Sequence, residues 1–113
     1  YVFEKTATSS NNEFVAMPAP YSGKVLKVIA RSEAACGSTV VGFHKSTEGT
    51  EVPNTTATSE VTVSMTNDDT TFTFDFTNLD NTFGSGDIMA FSFDPTNSSF
   101  DTNVVVVLEY EVI

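Results

Sequence analysis

Residues 60–77 read Glu60-Val61-Thr62-Val63-Ser64-Met65-Thr66-Asn67-Asp68-Asp69-Thr70-Thr71-Phe72-Thr73-Phe74-Asp75-Phe76-Thr77. Val61, Val63 and Met65 alternate with Thr62 and Ser64. Phe72, Phe74 and Phe76 alternate with Thr71, Thr73, Asp75 and Thr77. A two-residue period puts successive side chains on opposite sides of an extended chain, so each run predicts a strand with one buried face. Asn67-Asp68-Asp69 supplies turn chemistry between them, and the pair reads as an antiparallel hairpin.

The same grammar extends in both directions. Toward the C-terminus, 78–86 reads as a loop and 87–93 as a strand with Met89, Phe91 and Phe93 on one face. Asp94-Pro95-Thr96-Asn97 is a turn, because Asp bonds the backbone ahead of it and Pro fixes φ. Toward the N-terminus, 46–59 is a polar loop holding Gly49 and Pro53, and 38–45 is a strand. Residues 24–36 fit either a helix or a strand. The β-branched content favours a strand with Leu26, Val28 and Ala30 inward, broken at Gly37. Short runs at 1–6 and 13–17 precede Pro18 and Pro20, which cannot donate to a ladder.

Short strands punctuated by Gly, Pro, Asn, Asp and Ser predict an all-β, antiparallel two-sheet β-sandwich. At 113 residues, the chain fits one domain spanning 1–113. Thr, Val and Phe are abundant and Gln is absent, a composition suited to a pleated, half-buried surface.

The last strand, 104–113, has an unusual pattern. Val104, Val106, Leu108, Tyr110 and Val112 share one face. The other face starts with Val105 and Val107 and becomes polar at Glu109 and Glu111. A two-layer sandwich buries one face of each sheet, so a second apolar face needs a cover, and a neighbouring copy of the chain is the expected one. Val105 and Val107, with Phe91 and Phe93, are the candidate subunit-interface residues.

Charge narrows the partners. The chain has 5 basic and 15 acidic residues, a net charge of −10. Nucleic-acid binding needs a basic surface to displace counterions, so it is not expected. All five basic residues (Lys5, Lys24, Lys27, Arg31, Lys45) lie in the first 45 positions. That asymmetry reads as a solvated acidic surface, or as a polar match between neighbouring subunits. No stretch approaches the ~20 apolar residues of a membrane helix, so no membrane insertion is expected. Cys36 is the single cysteine, which rules out an intrachain disulfide. A chain that starts at Tyr1 rather than Met reads as processed or as part of a longer protein.

No residues announce catalysis. Cys36 and His44 are one thiol and one imidazole with no third orienting group, a poor nucleophile–base constellation. Asp68, Asp69 and the 80–87 loop are weak calcium candidates without the spacing of a known cation loop. Gly84-Ser85-Gly86 lacks the helix and lysine of a phosphate loop. Asn54-Thr55-Thr56 and Asn97-Ser98-Ser99 match glycosylation acceptors, but such matches arise by chance in a chain this rich in Asn, Ser and Thr. Tyr1, Phe3, Tyr21, Phe83 and Phe100 sit in or beside loops, where aromatics either cap a core or stack on sugars. The expectation is therefore a non-enzymatic domain with no metal and no cofactor.

Two segments carry a resemblance. Residues 14–28 read Phe-x-Ala-x-Pro-Ala-Pro-Tyr-x-Gly-Lys-Val-Leu-Lys-Val, and 83–91 read Phe-Gly-x-Gly-Asp-Ile-x-Ala-Phe before a long hydrophobic terminal strand. This is similar to the globular heads of the complement and tumour-necrosis-factor superfamily, with Gly86-Asp87 at the place of its late Gly-Asp pair. The acidic chain with Thr/Ser/Asn-rich loops resembles the version found in tailed-phage virion proteins, notably of marine and cyanobacterial phages. The resemblance implies a jelly roll that assembles as a homotrimer. It further implies a virion surface protein, either capsid decoration or tail-fibre head, with other virion proteins and a host-surface glycan as partners. The alternative is a carbohydrate-binding, lectin-like module for receptor recognition.

Overall fold

A computed structural model describes residues 2–6, 12–13, 17–46, 56–97 and 101–111; for 2–6, 12–13 and 101 it describes the backbone alone. The strands are β1 (Val2–Thr6), β2 (Asn12–Glu13), β3 (Met17–Pro18), β4 (Gly23–Ser32) and β5 (Gly37–Ser46). They continue with β6 (Ser59–Met65), β7 (Thr71–Asp75), β8 (Thr82–Phe83), β9 (Ile88–Pro95) and β10 (Asp101–Tyr110). Among the described residues there is no helix, and hence none long and apolar enough to cross a membrane.

The strands form two antiparallel sheets. Sheet A has the order β1-β10-β4-β7, with β8 added to β4; sheet B has the order β2-β9-β5-β6, with β3 added to β9. With β2 and β3 counted as one interrupted strand and β8 as an addition, the chain crosses between sheets in the order of an eight-stranded jelly roll. The all-β sandwich reading holds, and 24–36 resolves as strand β4 running to Ser32.

The core fills the space between the sheets. From sheet A come Val25, Val28, Ala30, Phe74, Phe83, Val104 and Val106, joined by Phe76 just past the end of β7; from sheet B come Val41, Phe43, Met65, Met89, Phe91 and Phe93. Phe43 and Phe91 face each other in register at a ring separation of 5.5 Å. Burying a side chain of this size contributes about 1.5–3 kcal/mol, so the phenylalanines dominate the hydrophobic term. Val61, Val63 and Phe72 pack against the same core from its edge, on the faces that alternation assigned to them.

Two expectations are corrected. Strands β6 and β7 are not a hairpin, since β6 pairs with β5 in sheet B and β7 pairs with β4 in sheet A. The 66–70 turn carries the chain across from one sheet to the other. Asp69 sits there in the left-handed region (φ 51°) and donates its N–H to the Ser32 carbonyl at 2.8 Å. Aspartate tolerates that conformation better than most residues. Strands on opposite sides of one core show the same alternation as hairpin partners, so the period alone does not separate the two arrangements.

Leu26 is not inward. Val107 pairs with Lys27 and Leu108 pairs with Val25, so Leu26 is an extra residue in β4, a β-bulge. The bulge turns Val25 into the core and leaves Leu26 half-buried outside it. One inserted residue reverses the facing of everything before it.

Candidate functional site

The outside of sheet A carries the main surface feature. Val105 and Val107 are half-buried, while Val104 and Val106 between them point into the core. Register places Val105 opposite Ile29 and Val107 opposite Lys27. Ile29 and the bulged Leu26 are also half-buried, so four aliphatic side chains share this face. Lys27, Arg31, Thr73, Asp75 and Asn103 surround them and are exposed. An apolar cluster with a polar rim is the usual form of a contact surface. Alternation revealed Val105 and Val107; Ile29 and Leu26 join them only through strand pairing and the bulge.

Charge adds to this face. Lys24, Lys27 and Arg31, three of the five basic residues of the chain, are all exposed on β4. An acidic domain thus shows a basic stripe on one sheet. Lys27 lies opposite Asp75 across β4 and β7. The Asp75 carboxyl is held below its ordinary value of 3.8, first by the hydrogen bond from the Thr77 hydroxyl, then by that from the Thr77 N–H, with a smaller contribution from Lys27.

Phe91 and Phe93 do not belong to this face. They are 0% and 1% exposed within the single chain and project from sheet B into the core. No surface of theirs remains for a neighbour to cover, so the interface expectation narrows to Val105 and Val107. Sequence alone could not choose, because a core strand and an interface strand carry the same aromatic alternation.

The far end of sheet A holds a small cleft of about 160 Å³, lined by Gly23, Lys24, Thr82, Glu109, Tyr110 and Glu111. Glu109, Lys24 and Thr82 are register partners across β10, β4 and β8. The Lys24 Nζ stands 3.7 Å from Glu109 Oε1, and both side chains are about half exposed. On the core side of the same end, the Tyr21 ring meets Tyr110 edge-on at 5.8 Å, and Tyr110 meets the buried Phe83 edge-on at 6.1 Å. Among the loop aromatics, Phe83 therefore caps the core, whereas Tyr21 is 62% exposed. Tyr1 and Phe100 lie outside the described residues, and of Phe3 only the backbone is described, opposite Val104.

The thiol and the imidazole are kept apart. Cys36 immediately precedes β5 and His44 lies near its other end, eight residues or about 26 Å of extended chain away. Cys36 is fully buried. His44 meets Ser92 instead, with Nε2 and Oγ 2.8 Å apart on the outer side of sheet B. A Ser–His pair is half of a nucleophile–base arrangement. These two are 2% and 5% exposed, however, and neither is open to solvent. The neighbouring segment helps cover them: the Thr58 N–H bonds the Phe43 carbonyl at 2.7 Å, and a Cβ at Gly42 would touch Ala57, Ser92 and His44. The pair satisfies buried polar atoms, a structural role.

The carboxylate candidates are dispersed. Asp68 and Asp69 are exposed at the β6–β7 turn, and Asp80 lies 3.9 Å from Lys45 Nζ. Asp87 is engaged locally: its Oδ2 accepts the Gly84 N–H at 2.7 Å. Among the described residues no three His, Cys, Asp or Glu side chains converge as a metal site would require. The Gly86-Asp87 pair has a turn-forming role. Gly86 has φ 88°, its N–H bonds the Ala19 carbonyl, and Ala19 donates back to the Asp87 carbonyl. The first two residues of the acceptor-like motif at Asn54 and the last two of that at Asn97 fall outside the described residues.

No protein-family model matches the chain, and no curated protein matches its sequence.

Proposed function

We propose that this chain is a non-enzymatic structural domain of the virion surface, a jelly-roll head that serves as capsid decoration or tail-fibre head and works as a homotrimer. The observation that carries the reading is the aliphatic cluster of Leu26, Ile29, Val105 and Val107 on the outside of sheet A. A sheet face that bears four half-exposed aliphatics beside a basic stripe is suited to contact with another copy of the same acidic chain. The contact is heterologous: the stripe of Lys24, Lys27 and Arg31 meets an acidic surface of the next subunit, and such contacts close into rings when the rotation allows. The virion setting is supported by the jelly-roll strand order, widespread in capsid proteins, together with the phage-like sequence texture. Other virion proteins are then the neighbours of the assembled head.

Size-exclusion chromatography with light scattering tests the assembly. A mass of three chains at micromolar concentration is expected, and a monomer overturns the trimer. Mass spectrometry of purified phage particles tests the location. The domain should co-purify with particles, and its absence from them would remove the virion reading.

A further inference from the structure

We infer that β6 is a pairing edge for a second copy of the chain: two β6 strands meet antiparallel about a two-fold axis at Thr62 and join sheet B of one copy to sheet B of the next. Among the described residues β6 is paired on one side only, by β5, and ends the sheet. Backbone groups alternate between the two sides of a strand, so about half of its N–H and C=O groups point away from β5. Such an edge is a ready template for another strand.

The other edges carry features that oppose pairing, and β6 does not. Strand β1 holds Glu4 and Lys5. Strands β2 and β3 have two residues each, and β3 ends in Pro18. Strand β7 has five residues and ends in Asp75, and β8 has two. In contrast, β6 runs for seven residues without Pro, Gly or a break in its register with β5, and its one charge is Glu60, next to its start. Charges, prolines and short length are the usual guards of an exposed edge.

The side chains show the same opening. Val61 and Val63 point toward the core but stay half-buried, since no described strand lies beyond them. Phe72 is half-buried in the same way on β7, the edge of sheet A that β6 touches across the sandwich.

A second copy fits this edge. Thr62 is the midpoint of β6, so a two-fold axis there pairs all seven residues. Val61 falls opposite Val63 of the other copy, and Val63 opposite Val61, on the core side where each lacks cover. On the outer side Thr62 meets Thr62, and Glu60 meets Ser64. No two acids come opposite, which matters between copies of a chain with net charge −10. A one-strand contact belongs to the class below about 1,200 Å² that associates weakly, so it forms where copies are concentrated. It uses a different surface from the aliphatic face of sheet A and does not depend on it.

Sedimentation equilibrium of the full chain from about 10 µM to about 1 mM tests the contact. The mass should rise about twofold or more across the series. Thr62→Lys sets two ammonium groups opposite each other at the axis and should weaken pairing by about tenfold or more, which removes the rise. Thr62 is exposed, and an unchanged circular-dichroism melt confirms that the variant is folded. Thr62→Val keeps the β-branched shape and should retain the rise. A constant mass in the parent would overturn the contact between copies and leave the edge to a strand from another protein. A rise that survives Thr62→Lys would overturn it too. The mass at the dilute end reads the sheet A contact and the rise above it reads β6, so either can fail without the other.

Discussion

Val105 of β10 and Ile29 of β4 stand opposite each other in register on the outside of sheet A, both half-buried, while Val104 and Ala30 beside them are buried in the core. One stretch of strand thus serves two surfaces, the domain's own core and an outer aliphatic face.

Val105→Asp places a charge in that outer face without touching the core. Self-association should be lost, with the β-type circular-dichroism spectrum unchanged. Light scattering reads the first and spectroscopy the second. An oligomer that survives the substitution would place the interface elsewhere.

Phe91→Ala should behave oppositely. Phe91 is fully buried against Phe43 within one chain, so its truncation leaves a cavity in the fold itself. Large-to-small changes of this kind cost about 3–5 kcal/mol, read as a lower denaturant midpoint in urea unfolding. A loss of assembly with no loss of stability would return Phe91 to the interface.

Thr102 is 1% exposed, and among the described residues its hydroxyl oxygen has no hydrogen-bond partner. An unsatisfied buried hydroxyl is a cost to the folded state, and an apolar replacement of the same shape removes it. Thr102→Val should therefore stabilise the domain by about 1 kcal/mol in chemical denaturation. A marked loss of stability would show that the hydroxyl is satisfied.

Asp75 Oδ1 accepts hydrogen bonds from the Thr77 hydroxyl at 2.7 Å and the Thr77 N–H at 2.9 Å. Both favour the carboxylate, so the folded-state value lies below 3.8. A depressed carboxyl contributes its stabilisation in full above the unfolded-state value and loses it as the pH falls through the folded-state value. The Asp75 carboxyl carbon should titrate at lower pH than an ordinary aspartate when followed by NMR. Thr77→Ala should raise its midpoint toward the ordinary value.

Gly23 marks a close approach of β4 to β10. A Cβ there would run into the Glu109 carbonyl oxygen and meet Phe83 and Tyr110 at 3.0 Å. Gly23→Ala should destabilise the domain by about 1–3 kcal/mol, the cost of overpacking, as measured by thermal or urea unfolding. An unchanged midpoint would mean that β10 yields freely at this point.

The sequence by itself determined that this chain is a sandwich of short strands and which face of most of them is buried. The Val61–Val63–Met65 and Phe72–Phe74–Phe76 alternations, and the two apolar faces at Val105 and Val107, are local properties of an extended chain with period two. Tertiary structure decided which strands pair, and with that it decided the sites. It placed β6 and β7 in different sheets, turned Leu26 outward at a bulge, assigned Phe91 and Phe93 to the core, and aligned Glu109, Lys24 and Thr82 across three strands. Those outcomes depend on register and on coverage by segments distant in sequence, which alternation within one strand does not encode.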